Sequence, residues 1–84
     1  MKYNIRISKQ AVKILEKINE PYYSSIKNAI YNLSENPRPI SCKKLKGRDG
    51  YRIRIADYRI IYDIFDTTLV IEIINIGHRK EVYR

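Results

Sequence analysis

The sequence predicts an α+β fold: an N-terminal strand, a two-helix antiparallel hairpin, then a three-stranded antiparallel meander. Both helices are expected on one face of a mostly antiparallel sheet. Three observations carry this prediction. Apolar and polar side chains alternate over residues 3–7, apolar residues recur at helical spacing between residues 11 and 33, and alternation returns at residue 51. The 84 residues, 44% of them hydrophobic, suit one small domain spanning 1–84, with a core of limited size.

Taken in order, Tyr3-Asn4-Ile5-Arg6-Ile7 reads as a short half-buried strand. Ser8 follows as an N-cap, its hydroxyl able to accept from the free amides of a first helical turn. Ala11, Val12, Ile14, Leu15 and Ile18 then form an apolar stripe opposite Lys9, Lys13, Glu16 and Lys17, which predicts an amphipathic helix ending near Asn19. Pro21 suits the first position of a second helix, whose apolar stripe is Tyr22, Ile26, Ala29, Ile30 and Leu33. Asn36-Pro37-Arg38-Pro39 stops it, because proline excludes the helical conformation from the residue before it. Tyr51 to Ile55 alternates cleanly as a strand. Tyr58 to Phe65 and Leu69 to Ile76 are β-branched and aromatic runs joined by the turn-prone Asp66-Thr67-Thr68.

The strand arithmetic locates a candidate site. If Ala56-Asp57 is a two-residue turn, residue 55 faces 58, 54 faces 59, 53 faces 60 and 51 faces 62. Tyr51, Ile53, Ile55, Tyr58, Ile60 and Tyr62 then line the core face, and Arg52, Arg54 and Arg59 line the other. Arg54 would stand directly opposite Arg59. Like charges opposite one another on a sheet are unfavourable, and such a breach of local rules is expected mainly at functional sites. The competing reading is a solvated polar face with each arginine paired to Asp57, Asp63 or Glu72. With Thr67-Thr68 as the next turn, Arg59 falls opposite Ile76, so Gly77-His78-Arg79-Lys80 emerges beside the arginines. Ile61, Phe65, Val70, Ile74 and Ile76 would share the arginine face as an apolar strip for a partner to cover. Tyr83 and Arg84 complete a basic concavity containing one imidazole and one phenol. Guanidinium groups recognise phosphate bidentately, which makes RNA or DNA the natural ligand.

Charge points the same way. Seventeen Lys and Arg against nine Asp and Glu give a net +8, with a pI near 9.7. Nucleic acid, an acidic protein or an anionic membrane would each suit that balance. Other classes fall away. No apolar run reaches the roughly 18 residues of a membrane-spanning helix, and MKYNIRISKQ lacks the apolar core of a secretory leader, so the cytoplasm is expected. The single cysteine, Cys42, excludes an internal disulfide and a cysteine-based zinc site, and reads as an ordinary loop or partly buried residue. Glycines at 47, 50 and 77 make no phosphate-binding loop, and no serine approaches His78 for nucleophilic catalysis. A lone histidine is a poor metal site, and neither metal nor cofactor is expected.

Lys44-Leu45-Lys46-Gly47, Tyr51-Arg52-Ile53-Arg54-Ile55, Tyr58-Arg59-Ile60-Ile61-Tyr62, Ile76-Gly77-His78-Arg79 and Glu81-Val82-Tyr83 form an ordered set. Together with two N-terminal helices closed by Asn36-Pro37, they resemble the RelE family, toxin halves of toxin–antitoxin pairs within the RelE/ParE superfamily. The resemblance covers nearly the whole chain. It implies a metal-independent endoribonuclease that enters the ribosomal A site and cuts mRNA there, inhibiting translation. In that reaction the ribose 2′-hydroxyl attacks the adjacent phosphate, leaving a 2′,3′-cyclic phosphate and a 5′-hydroxyl. By the same resemblance Tyr83 would be the general base, with Arg52 and Arg54 lowering its pKa and holding phosphate. Arg59 would stabilise the transition state and Arg79 would assist the leaving oxygen. Relatives often carry lysine where Arg52 and Arg54 stand, and a guanidinium cannot relay a proton as a tuned lysine can. His78, at a position usually basic in the family, could then share the acid–base work. Lys43, Lys44, Lys46, Arg48, Lys80 and Arg84 are expected as further RNA contacts.

The partners implied are the ribosome, its mRNA and a cognate antitoxin with an acidic, partly disordered toxin-binding segment; no membrane is implied. Two other functions remain open: a ParE-like poison of DNA gyrase, and a module of the same fold that binds RNA without cutting it.

Overall fold

The computed structural model describes residues 2–78. Seven elements follow in chain order: β1 (Asn4–Ile7), α1 (Lys9–Glu16), α2 (Tyr22–Asn32), β2 (Lys43–Lys44), β3 (Tyr51–Ile55), β4 (Tyr58–Phe65) and β5 (Val70–His78). The five strands form one sheet in the order β1-β5-β4-β3-β2, antiparallel except for the β1–β5 pair. That parallel pair closes a crossover through both helices. α1 packs against β5 and α2 against β3, which puts both helices on one face of the sheet.

Local chemistry fixes each end. The Ser8 side chain accepts from the Ala11 amide at 3.1 Å and caps α1. Glu20 braces the start of α2, one carboxylate oxygen accepting from the Ser24 amide at 3.1 Å and the other from its hydroxyl at 2.7 Å. Those bonds hold the Glu20 carboxyl below its ordinary pKa. Ala11, Leu15 and Ile18 from the first helical segment meet Ile26, Ile30 and Leu33 from the second over Ile53, Ile60, Tyr62, Ile71, Ile73 and Ile76. Val12 and Tyr22, read as core from the spacing, lie exposed at the edges of their stripes.

Tyr62 is fully buried, and its hydroxyl donates to the Pro37 carbonyl at 2.8 Å. Burial pushes its phenol well above the usual tyrosine range. The Pro37–Pro39 segment is anchored a second time. Arg38 bonds Asp66 in the β4–β5 turn at 2.9 Å and lies over the Tyr51 ring at 5.3 Å. Tyr3 donates to the same carboxylate at 2.7 Å. Hydrogen bonds from Arg38 first, then Tyr3, hold the Asp66 carboxyl below its ordinary pKa, while the bond to Asp66 raises that of Tyr3.

The structure departs from the expected order in two places. Lys43–Lys44 forms an additional edge strand, pairing Lys43 with Arg52 and Lys44 with Tyr51. Two residues carry no period, so the pattern could not show it. The second departure is a shift in register between β4 and β5. Pairing runs from Phe65 opposite Val70 to Tyr62 opposite Ile73, then skips Ile74 and resumes with Ile61 opposite Asn75. A β-bulge of this kind inserts one residue into one strand and reverses which residues face inward beyond it. Ile76 therefore lies in the core at 0% exposure, not on the arginine face. The bulge is held by backbone and side chains: the Ser8 hydroxyl donates to Ile74 O at 2.7 Å, and the Asn75 side chain accepts from the Ile76 amide at 2.9 Å.

Candidate functional site

β3 and β4 meet through the two-residue turn Ala56-Asp57, with Ile55 opposite Tyr58. A hairpin this short needs a left-handed residue in its turn, and Ala56 supplies it at φ 52°. The turn fixes the expected register: Tyr51 faces Tyr62, Ile53 faces Ile60 and Arg54 faces Arg59. Arg52 stands opposite Ile61, and Lys43 on the edge strand stands opposite Arg52. Residues paired across strands share a face, so Lys43, Arg52, Arg54 and Arg59 gather on the side of the sheet away from the helices. With Ser41 they line a concavity of about 490 Å³.

The four cations are not equivalent. Arg54 is exposed and Arg52 half-buried, whereas Arg59 retains 5% of its surface. Gly77 stands opposite Arg59 and adds no side chain beside it. A guanidinium is charged at any physiological pH and presents five donors in a plane, so four converging cations make a strong site for phosphate oxygens. Carboxylates share the same face farther along, where Asp63 stands opposite Glu72 and Arg6 lies beside Glu72. None of them lines the concavity. The face is thus zoned, cationic near the β3–β4 turn and acidic toward the far end of β4.

His78 sits elsewhere. Without the bulge it would share the arginine face; with it, His78 pairs opposite Tyr58 and lies on the helix side. There its ring meets Tyr58 edge-on at 5.2 Å, and Tyr58 in turn contacts Tyr22 at 5.8 Å. The structure therefore brings Arg52, Arg54 and Arg59 together and separates His78 from them.

Of the expected RNA contacts, Lys43 lines the concavity. Lys44 lines a different one, of about 300 Å³, with Arg38, Asp49 and Asp63 among its walls. Lys46 and Arg48 are exposed in the β2–β3 loop. Arg79, Lys80, Tyr83 and Arg84 lie outside the described residues. Ser41 was not singled out by the sequence, since a lone serine after a proline-rich stretch carries no signal of its own. Of the apolar strip, Ile61, Phe65 and Val70 keep the arginine face, and Ile74 is the bulged residue. Among the described residues no cluster of histidine, cysteine and carboxylates could hold a metal ion, and no helix is long and apolar enough to cross a membrane.

Known proteins share both sequence and architecture with this chain. Residues 5–83 match the family described as ParE toxin of type II toxin–antitoxin system, parDE. The chain is 31% identical over 88 residues to the mRNA interferase toxin RelE of Escherichia coli, covering 99% of this chain and 92% of that one. Among solved structures, the archaeal RelE–RelB complex of Pyrococcus horikoshii superposes with a TM-score of 0.85 at 33% identity, covering 94% and 97% of the two chains. The intact RelBE toxin–antitoxin complex of E. coli gives 0.79 at 26% identity, covering 90% and 95%. The chain belongs to the RelE/ParE family of type II toxin–antitoxin toxins.

Proposed function

We propose that this toxin is a ribosome-dependent mRNA endonuclease acting on the A-site codon. The observation that carries the reading is the placement of Arg59, nearly buried opposite Arg54 at the floor of a concavity whose charged lining is entirely cationic. Its similarity to a protein named as an mRNA interferase supports the same reading. In the reaction the 2′-oxygen forms a bond to phosphorus as its proton leaves, and the bond from phosphorus to the 5′-oxygen breaks as that oxygen gains a proton. Negative charge builds on the non-bridging oxygens between these events. Donors already held in place for that charge lower the barrier, because they need not reorganise when it develops. Arg59 serves this purpose best, being least solvated, while Arg52, Arg54 and Lys43 hold the flanking backbone. Tyr83 as general base and Arg79 at the leaving oxygen keep the roles that family resemblance gives them. His78, on the helix side, is not among the residues that line the concavity and is assigned no proton transfer.

The partner that restrains this activity is a cognate antitoxin with an acidic segment, which would cover the cations and the apolar residues Ile61, Phe65 and Val70. The solved relatives named as RelE–RelB complexes support such a partner. The chain acts as one domain, in the cytoplasm, where the ribosomes are. Primer extension on mRNA from a purified translation reaction tests the function. Wild type should cut within A-site codons only when ribosomes are present, and Arg59→Ala should slow cutting by about 10²–10³-fold. Tyr83→Phe should also weaken it. Intact mRNA alongside folded wild-type protein would overturn the reading, and cleaved DNA–gyrase complexes would replace it with the gyrase-poison function.

A further inference from the structure

Around the edge of the sheet from the cationic concavity lies a second, smaller one of about 210 Å³. Leu33, Pro39, Ile53 and Ile55 give it apolar walls, and Asn32, Asn36 and Ser41 are set among them. Ser41 lines both concavities. The two meet because β2 is so short: it pairs only with Tyr51 and Arg52, leaving the β3 edge uncovered from Ile53 to Ile55. Along that edge Arg52 and Arg54 turn to one face, and Ile53 and Ile55 turn to the other.

We propose that this groove is a nucleobase subsite, taking the ring of a nucleotide adjoining the phosphate held at Lys43, Arg52 and Arg54. The inference rests on the RNA-cutting function proposed above and adds a source of sequence preference to it. A space of this size is below the roughly 300–1,000 Å³ of sites for drug-sized ligands, so it fits a single ring system. The faces of a base suit aliphatic walls, and its edge carries donors and acceptors together. An asparagine amide offers both kinds of group and pairs with a base edge in two-point fashion. Both asparagines are exposed, and neither amide, nor the Ser41 hydroxyl, makes a side-chain hydrogen bond among the described residues. A leucine or isoleucine side chain from a protein partner would fill the same walls but leave three polar groups unpaired. The base satisfies both.

Two measurements test this. In the first, cut sites are quantified on mRNAs that differ only in the bases flanking the scissile phosphate. Asn32→Ala/Asn36→Ala should change the ratio between best and worst base by about 3- to 10-fold, the range expected for one or two hydrogen bonds. Arg59→Ala should slow all sequences alike. In the second, the side-chain amide NMR signals of Asn32 and Asn36 are followed as nucleoside monophosphates are added. They should shift with AMP or GMP and stay in place with ribose 5-phosphate, which lacks the base. A wild type that cuts mRNA, with unchanged preference in the double variant and unmoved amide signals, would overturn the subsite and leave the nuclease standing. If the wild type cuts nothing, the nuclease reading fails, and the amide signals alone decide whether the groove takes a base. Loss of antitoxin affinity in the double variant with an unaltered cutting pattern would assign the groove to a protein and overturn the subsite.

Discussion

Ala56 occupies a conformation that costs an L side chain about 1–2 kcal/mol, yet it sets the turn that aligns Arg54 with Arg59. Glycine there would relieve that cost at the expense of some unfolded-chain entropy. Ala56→Gly should therefore stabilise by about 0.5–1 kcal/mol, seen as a rise of about 2–8 °C in Tm by circular dichroism, with cutting activity retained. Gly50 shows the opposite case. At φ +122° a Cβ would lie 2.8 Å from the Asp63 carboxylate and 3.1 Å from Leu45 Cδ1. Gly50→Ala should destabilise by about 2–3 kcal/mol in urea denaturation. At Gly47, φ +79° with no atom within 4 Å, the same change should cost only backbone strain, about 1 kcal/mol. The Asp63 and Leu45 atoms are the free ends of side chains that can turn aside, so the larger loss at Gly50 rests on its backbone at φ +122°, and equal losses at the two positions would contradict that greater strain.

At the level of elements, Ser8 does two things with one hydroxyl. It caps α1 and donates to the carbonyl at the bulge in β5. Ser8→Ala should cost about 1–2 kcal/mol, more than an ordinary cap, and should raise amide exchange at residues 74–76 as well as in α1. An effect confined to α1 would show that the bulge does not depend on it. The β3–β4 hairpin was legible in the sequence because a two-residue turn leaves only one register for alternating strands, and the arginine cluster follows from it. The register of β5 against β4 was misread. Alternation assumes a strict period of two, whereas Ile71, Ile73 and Ile76 are the buried set, the last spaced by three. That spacing, and the adjacent pair Ile73-Ile74, were the available signals. A strict period of two puts Ile76 and His78 on the arginine face, whereas the bulge turns both to the helix side. Lys43–Lys44 gave no signal at all, since only its pairing with β3 makes it a strand.

Across the whole molecule, Arg38, Asp66 and Tyr3 join three distant parts of the chain: the segment after α2, the β4–β5 turn and the N-terminus. Asp66 has a depressed pKa when folded, so its contribution is complete above the unfolded value near 4 and is lost as pH falls through the lower folded value. Tyr3 is raised, so its share is complete below about pH 10 and is lost as pH rises beyond. Asp66→Asn should reduce stability at neutral pH and flatten the acid limb of unfolding below about pH 4. Added salt should narrow the difference from wild type, the groups being exposed. An acid limb unchanged by the substitution would place the acid sensitivity elsewhere in the chain.

The extra residue in β5 has a bearing on how such a chain can change over time. Deleting Ile74 would remove the bulge and leave the pairing on either side of it as it stands, since that residue is the one the ladder already skips. Ile76 would stay in the core opposite Ile60, Gly77 opposite Arg59 and His78 opposite Tyr58. A substitution at the same place exchanges one half-buried side chain for another. Loss of a single codon there would therefore spare the faces of both the core and the concavity, its cost falling on the bond that the Ser8 hydroxyl makes to the Ile74 carbonyl. In β4, where every residue from Tyr58 to Phe65 is paired and none is spare, loss of one would turn those beyond it to the opposite face, so length should be held more strictly in β4 than in β5.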